Sequence, residues 1–158
     1  MRKRGGTMLP IIQKSCILFD MDVADREEAI RLMSDCLYKN GYLLDIDQFC
    51  KDVYDREKVY PTCIGNGISI PHSKSKQVKY TGICILRLNH SIFWAVNQGK
   101  EEFVDFLVLI AVEESKADIE YLKVLANLSR NLLHSSFVSY LKQKNVGEVY
   151  SLLKRITI

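Results

Sequence analysis

A chain of 158 residues, 47% apolar and 26% charged, is long enough to bury one core and predicts a single globular domain. The net charge of +3 is too small to indicate a nucleic-acid-binding protein, and no apolar segment reaches the length of a membrane span. The cysteines are scattered with no C-x-x-C pair, which predicts free, mostly buried thiols in a reducing cytoplasm: Cys16, Cys36, Cys50, Cys63 and Cys84.

The start of the chain predicts little regular structure. Residues 1–9 are expected to form a leader, and residues 10–158 a single domain. The apolar stretch of the leader is cut short by polar residues, which argues against a secretory signal. Residues 11–19 mix apolar and polar side chains and predict the first strand.

Two helices are predicted next. Asp25 is expected to cap the first, with Glu28 completing a capping box and Gly41 ending the helix. Its apolar positions recur at helical spacing: Ala29, Ile30, Met33, Cys36 and Leu37. The second helix is predicted over residues 47–58, which puts Arg56 near its C-terminal end.

The middle of the chain is dominated by strand signals. Residues 65–70 predict a turn and a short strand, which Pro71 stops. Separate strands are predicted over residues 81–88 and 92–96. The nearly continuous apolar run 103–112 predicts a central strand that is buried on both faces.

Helical periodicity returns in the last third of the chain. Asp118 is expected to cap a helix whose predicted inner face repeats at helical spacing: Ile119, Leu122, Leu125, Ala126, Leu128, Ser129 and Leu132. Short helices are predicted over residues 136–142 and 147–155. The order of elements predicts an α/β single-domain sandwich, a mixed β-sheet flanked by helices on both sides.

The most informative stretch is Thr62–His72, which reads T-C-I-G-N-G-I-S-I-P-H. Pro71 is rigid and should present His72 at the mouth of a strand. Histidine is an unprotonated nucleophile near neutral pH, and the cations and hydroxyls beside it point to a phosphoryl group. The alternative is a structural histidine that caps a strand. Lys74 and Lys76 would either neutralise charge on the bound group or form a solvated face.

Arg56 is the second candidate, sixteen residues before His72. A guanidinium binds phosphate through a fork of N–H donors that lysine cannot copy. Spacing alone does not separate this role from a surface arginine that counters the helix dipole or pairs with Glu57. The loop 65–67 could offer backbone N–H groups to an anion, or be only a tight turn.

The sequence gives little indication of a metal site, a catalytic thiol or a cofactor. The histidines, His72, His90 and His134, lack ligand spacing and have no acidic cluster beside them. Cys63 is expected to be a small core residue rather than a catalytic thiol. Trp94 is most simply explained as core or rim packing, and no cofactor is predicted.

Residues 56–72 resemble the active-site region of enzyme IIA domains of the sugar phosphotransferase system, in the fructose–mannitol class (type 2). The family pattern is an R-E pair followed by a T-G-I-G-N-G-I-A-I-P-H-type segment. The chain has Arg56-Glu57 and then Thr62–His72, with Lys74 after it. The other elements follow in family order, over roughly residues 10–155.

This resemblance implies a phosphocarrier in fructose-, mannitol- or galactitol-like sugar uptake. His72 would take a phosphoryl group on Nε2 from the phosphocarrier protein HPr and pass it to an enzyme IIB protein or domain. Arg56 would bind the phosphoryl oxygens, and Nδ1–H of His72 would donate to a backbone carbonyl. No nucleotide, metal, nucleic acid or membrane insertion would be needed, and the location would be cytoplasmic.

The chain departs from the family pattern at three positions. Many members carry a His-Leu pair where this chain has Tyr121-Leu122. A tyrosine can donate a hydrogen bond but cannot become a cation near pH 7. The phosphoryl group would be stabilised differently here, or the chain belongs to a subgroup, like the galactitol-type relatives, that lacks this histidine. Cys63 and Ser69 replace a usual glycine and alanine, and both are small.

Two other functions stay open from the sequence. One is a regulatory module of the nitrogen-regulatory type, which acts by protein binding without sugar transport. The other is an inactive structural relative, motivated by Tyr121. The sugar cannot be read from a domain that touches only proteins. Partner specificity is expected in the groups that ring His72, with Ile64, Ile68 and Tyr121 as candidates.

Overall fold

One mixed β-sheet organises the molecule. A computed structural model describes residues 9–116 and 119–157, and six strands lie in those ranges: β1 (Ile12–Met21), β2 (Cys63–Gly65), β3 (Ile68–Ser69), β4 (His72–Ser75), β5 (Gly82–Asn97) and β6 (Lys100–Glu113). The strand order is β1-β5-β6-β3-β2, and β4 pairs with the later part of β6. The β1–β5, β3–β6 and β4–β6 pairs are parallel, whereas β5–β6 and β2–β3 are antiparallel.

Helices cover both faces of this sheet. They are α1 (Arg26–Lys39), α2 (Ile46–Val59), α3 (Ile119–Asn131), α4 (Ser135–Gln143) and α5 (Val146–Ile156), with a short 3-10 turn over Glu114–Lys116. Along β6, Leu107 and Leu109 face a first core with α1 and α2, and Phe106 and Val108 face a second core with α3, α4 and α5. The predicted α/β sandwich, with its central strand buried on both faces, is confirmed.

The observed bounds of α1 and α2 agree with the predicted ones to within one residue, but the N-terminal cap of α1 differs from the prediction. The Asp25 carboxylate accepts from the Glu28 N–H at 2.9 Å, and Gly41, at φ +90°, follows the helix end. The Glu28 carboxylate, however, accepts from the N–H of Ala24 at 2.7 Å rather than from Asp25. The predicted capping box is therefore wrong, because its second bond is made one residue too early.

Two strand predictions are corrected by the structure. The runs 81–88 and 92–96 form the single strand β5, with an irregularity in its pairing between Arg87 and Ile92. Pro71 does not end the pairing with β6, because its carbonyl accepts from the Ile110 N–H at 3.0 Å and β4 follows at once. A proline removes one donor from the ladder but leaves its acceptor.

In α3 the predicted apolar face is wrong in part. The buried positions are Val124 and Leu128, with Tyr121 and Leu125 packed beside them, whereas Leu122 and Ala126 are exposed. Spacing of i, i+3, i+4 and i+7 from Tyr121 defines this face. The expected cap, Asp118, lies outside the described residues, as does the predicted leader apart from Leu9. No helix within the described ranges is both long and apolar enough to cross a membrane.

A tight turn joins β2 to β3 and is held from α4. Asn66 and Gly67 both have positive φ, +58° and +74°, as a two-residue hairpin turn of this hand requires. Lys142 Nζ donates to the Asn66 carbonyl at 2.5 Å and pairs with Asp105 at 2.9 Å. A Cβ on Gly67 would lie 2.7 Å from Asp105 Oδ1. The tight-turn interpretation of residues 65–67 accounts for both glycines.

We expect Gly67→Ala to lower the free energy of unfolding more than Gly99→Ala does. Gly99 has φ +77° in the β5–β6 turn, but nothing lies within 4 Å of its Cβ position. Both variants carry the left-handed backbone cost of about 1–2 kcal/mol. Only Gly67→Ala adds a clash with Asp105 Oδ1, so that this side chain must shift and weaken its ion pair with Lys142, at a further cost of ~0.2–1 kcal/mol. Urea denaturation of the two variants measures the difference, and equal losses would contradict this account of the turn.

Candidate active site

His72 opens β4 and is half-buried beside Ile110 of β6. Its Nδ1 lies 2.8 Å from the carbonyl oxygen of Ile70. A carbonyl oxygen only accepts, so Nδ1 carries the proton and donates, and the hydrogen bond expected from the resemblance is present. Nε2 is therefore left with a free lone pair. The ring is held in the tautomer that a nucleophilic Nε2 requires.

The surroundings of His72 favour its neutral form. Burial lowers the pKa of the imidazole, and the positive charge of Arg56 lowers it further. The Ile70 carbonyl and the charge of Glu57 raise the pKa in the opposite sense, but they do not reverse the effect of burial. The ring is unprotonated at neutral pH.

We expect His72 to titrate in the folded protein at a lower pH than in the unfolded chain, whose histidine pKa is about 6.5. Because the folded pKa is depressed, the neutral ring contributes stability above pH ~6.5, and this is lost as the pH falls through the folded pKa. NMR titration of the His72 Hε1 signal measures the midpoint, with His72→Gln to assign it and the denatured chain as reference. A folded midpoint at or above the denatured one would contradict the account.

Arg56 lies in the last turn of α2, as predicted. Its Nη1 donates to the Tyr60 carbonyl at 2.9 Å. Its charge lowers the pKa of His72 and also offsets the rise that burial causes in the pKa of Tyr121. The guanidinium thus acts electrostatically on both rings. Pairing with Glu57 is not what the structure shows, since that carboxylate accepts from other residues.

Tyr121, the third candidate residue, lies on the other side of the sheet from Arg56. It lies on α3, half-buried against the second core. Burial raises its pKa, so the side chain is a neutral phenol at pH 7. The charge of Arg56 thus acts on both His72 and Tyr121, which are far apart in the sequence.

Lys74 and Lys76 relate differently to the site. Side chains alternate along β4, so that Lys74 is exposed between the buried Ser73 and Ser75. Both lysines line a polar groove of about 470 Å3 together with carboxylates from other elements: Asp52, Asp55 and Glu114. Exposed lysines beside carboxylates fit the solvated-face alternative.

The buried contacts of the Glu57 carboxylate were not predicted from the sequence. Its carboxylate is buried, at 2% exposure, on the face of α2 that packs into the first core. It accepts from the Thr62 N–H at 2.6 Å, the Thr62 hydroxyl at 2.9 Å and Trp94 Nε1 at 2.9 Å. The available signal was an acid at a core position of an amphipathic helix, which requires buried partners.

Exposed apolar side chains flank these residues in sequence. Val59 and Tyr60 follow Arg56, Ile64 lies on β2, and Leu122 follows Tyr121. Val59 is 81% exposed and Leu122 is 58% exposed. The prediction that Ile68 belongs to the rim is wrong, because this side chain packs in the second core at 1% exposure.

The cysteines and potential metal ligands give no further site. All five thiols are free and buried, including Cys63, as expected for core residues. Over residues 9–116 and 119–157, no three His, Cys, Asp or Glu side chains are grouped so as to hold a metal ion.

Comparison with protein families gives a match over almost the whole chain. The model described as "Phosphoenolpyruvate-dependent sugar phosphotransferase system, EIIA 2" matches residues 10–156. Multiphosphoryl transfer protein 1 of Escherichia coli K12 is 32% identical over 128 residues, which are 81% of this chain but only 15% of that protein. The chain thus spans a small part of this relative.

Two further proteins match this chain along nearly their full length. The PTS system fructose-like EIIA component of E. coli K12 is 26% identical over 141 residues, 89% of this chain and 93% of that protein. The crystal structure of the nitrogen regulatory protein IIA-Ntr from Neisseria meningitidis superposes with a TM-score of 0.79 at 25% identity, covering 90% of this chain and 96% of that one.

Proposed function

The chain belongs to the EIIA 2 family of the phosphoenolpyruvate-dependent sugar phosphotransferase system, and from that membership we propose that it is a phosphohistidine carrier. In this proposal His72 accepts a phosphoryl group from HPr and passes it to an enzyme IIB in sugar uptake. The observation that carries the proposal is the 2.8 Å hydrogen bond from Nδ1 to the Ile70 carbonyl, because it leaves Nε2 as the nucleophile.

The proposed transfer needs no group beyond the side chains already described. The Nε2 lone pair of neutral His72 forms a bond to phosphorus while the bond from phosphorus to the donor breaks, and the donor keeps that electron pair. The second transfer runs the same way, with the acceptor protein as nucleophile and His72 as leaving group. Charge spreads over the three equatorial oxygens during the transfer, so catalysis is mainly positioning and electrostatics.

Arg56 and Tyr121 would act on those oxygens in different ways. The Arg56 guanidinium supplies a positive charge and a fork of N–H donors. Tyr121 is neutral, so it would supply at most one hydrogen bond. Arg56 would then be the main source of positive charge at the phosphoryl group, since His72 itself stays neutral until it reacts.

The surroundings of the site support protein partners rather than a small substrate. Exposed apolar side chains are typical of a surface that another protein covers. Val59 and Tyr60 follow Arg56 in the sequence, Leu122 follows Tyr121, and all three are exposed, as is Ile64 of β2. The free, buried thiols support a location in the reducing cytoplasm, where these partners would be met.

The similarity to IIA-Ntr supports a second candidate function. A TM-score of 0.79 to a nitrogen regulatory protein favours a module whose phosphorylation state sets which protein it binds. The match to the fructose-like component along 93% of its length supports the transport role instead. The two functions share His72 and differ in what receives the phosphoryl group.

Phosphotransfer to purified partners tests both candidates. The protein is incubated with phosphoenolpyruvate, enzyme I and HPr, and its mass is measured before and after a panel of enzyme IIB domains is added. The transport proposal predicts a gain of one phosphoryl group that an enzyme IIB removes. A stable gain that no enzyme IIB discharges favours the regulatory module. No gain would support the inactive relative and would overturn both candidates.

A further inference from the structure

The buried carboxylate of Glu57, near the end of α2, binds Thr62 and so holds together the segment between α2 and β2. Its Oε2 accepts from the N–H of Thr62 and from Trp94 Nε1, and its Oε1 accepts from the Thr62 hydroxyl. The side chain is 2% exposed, and three donor groups from two residues bind it. Losing this carboxylate would leave the donors of Thr62 and Trp94 buried without their partner, which is costly.

A short series of hydrogen bonds joins Glu57 to the imidazole. Thr62, held at its N–H by Glu57, accepts at its carbonyl from the Ile70 N–H at 3.0 Å. Ile70 in turn accepts at its carbonyl from His72 Nδ1 at 2.8 Å. The backbone of Thr62 and Ile70 therefore sets the position of the acceptor that fixes the tautomer of the ring.

Glu57 bears on Arg56 as well. The segment that it closes contains Tyr60, and the Tyr60 carbonyl accepts from Arg56 Nη1 at 2.9 Å. Arg56 also directly precedes Glu57 on α2. The orientation of the helix that buries the Glu57 carboxylate therefore fixes the direction in which the Arg56 side chain leaves the helix. Both groups that would handle the phosphoryl group thus depend on the same buried anchor.

We propose that Glu57, anchored by Trp94 and acting through Thr62 and Ile70, is a positioning residue for phosphoryl transfer at His72. The inference rests on the function proposed above and adds a residue that touches neither partner nor phosphoryl group. Its contribution is geometric: it holds the Nδ1 acceptor in place and fixes the segment whose Tyr60 carbonyl accepts from Arg56.

A glutamine at position 57 separates geometry from charge. Its amide oxygen, placed at Oε2, can accept from both the Thr62 N–H and Trp94 Nε1, and its amide nitrogen can donate to the Thr62 hydroxyl oxygen. Glu57→Gln thus keeps all three contacts without the charge. Glu57→Ala removes all three contacts together with the charge.

The experiment measures the rate of phosphorylation by phospho-HPr and the tautomer of His72 by 15N NMR in each variant. We expect Glu57→Ala to phosphorylate roughly 10²-fold more slowly and to lose its uniform Nδ1–H tautomer, because misplacement by about 1 Å costs that much. Glu57→Gln should stay within about threefold of the parent protein with the tautomer kept, since positioning is retained. Asp45→Ala is the matched control, because it removes the cap at the other end of α2.

Asp45→Ala should lower stability while leaving the rate and the tautomer unchanged. A Glu57→Ala variant that phosphorylates at the parent rate would overturn the positioning role and leave the proposed function standing. Glu57→Gln behaving like Glu57→Ala would also overturn it, because charge would then be what matters. If the parent protein itself takes no phosphoryl group, the proposed function fails, and the tautomer alone decides whether Glu57 positions the ring. Trp94→Phe replaces Glu57→Ala if that variant does not fold. It removes the anchor of Glu57 but keeps the bonds from Thr62, so it should populate the other tautomer to a smaller extent. An unchanged tautomer in Trp94→Phe would then overturn the positioning role.

Discussion

Replacing His72 with alanine is expected to abolish the gain of a phosphoryl group by this protein. The only group proposed to carry phosphorus is lost, whereas the half-buried ring contributes one backbone hydrogen bond worth about 0.5–1.5 kcal/mol. The variant should therefore fold and still fail to react. Intact-protein mass spectrometry after incubation with phosphoenolpyruvate, enzyme I and HPr makes the measurement.

His90→Ala is the matched control for this variant. His90 is exposed on β5, so its removal should leave the mass gain and the fold unchanged. The account of His72 would be contradicted if His72→Ala still gained a phosphoryl group, or if both variants lost it.

Replacing Arg56 with lysine is expected to slow phosphorylation by roughly 10²–10³-fold, the usual effect of removing one transition-state donor. A lysine keeps the charge but not the planar fork that meets two phosphoryl oxygens at once. It would also lose the geometry of the bond from Arg56 to the Tyr60 carbonyl. Single-turnover phosphorylation by phospho-HPr, followed over time, measures the rate directly.

Lys58→Ala provides the comparison for Arg56→Lys. Lys58 is an exposed cation in the same last turn of α2, so its loss changes the charge of the helix end without touching the site. We expect its rate to stay within about threefold of the parent protein, in line with the small effect of a solvated surface charge. Arg56→Lys rates as high as those of Lys58→Ala would show that the fork is not needed.

Features with a strong local cause were predictable from the sequence. The apolar run of β6 needs no partner to be recognised, and Asp25 and Gly41 mark the ends of α1 through their own chemistry. The hydrogen bond from His72 Nδ1 to a backbone carbonyl was also predictable, because the family resemblance implied it. Arg56 was predictable as a candidate, but its electrostatic effect on Tyr121 depends on how α2 and α3 lie on opposite faces of the sheet.

Features that depend on long-range contacts were not predictable. β4 forms because the residues after Pro71 pair with the later part of β6, and the local sequence does not indicate this pairing. The face of α3 was misjudged because Leu122 is apolar yet exposed near the site, where a partner surface would use it. Glu57 was open to interpretation as half of an ion pair, since one of its partners, Trp94, is 37 residues away in the chain.

The attachment atom of the phosphoryl group is the central claim, and 15N–31P NMR of the phosphorylated protein measures it directly. With the histidines labelled with 15N, the account predicts that phosphorus couples to Nε2 of His72 while Nδ1 keeps its proton. Coupling to Nδ1 of His72, or to a nitrogen of another histidine, would contradict it.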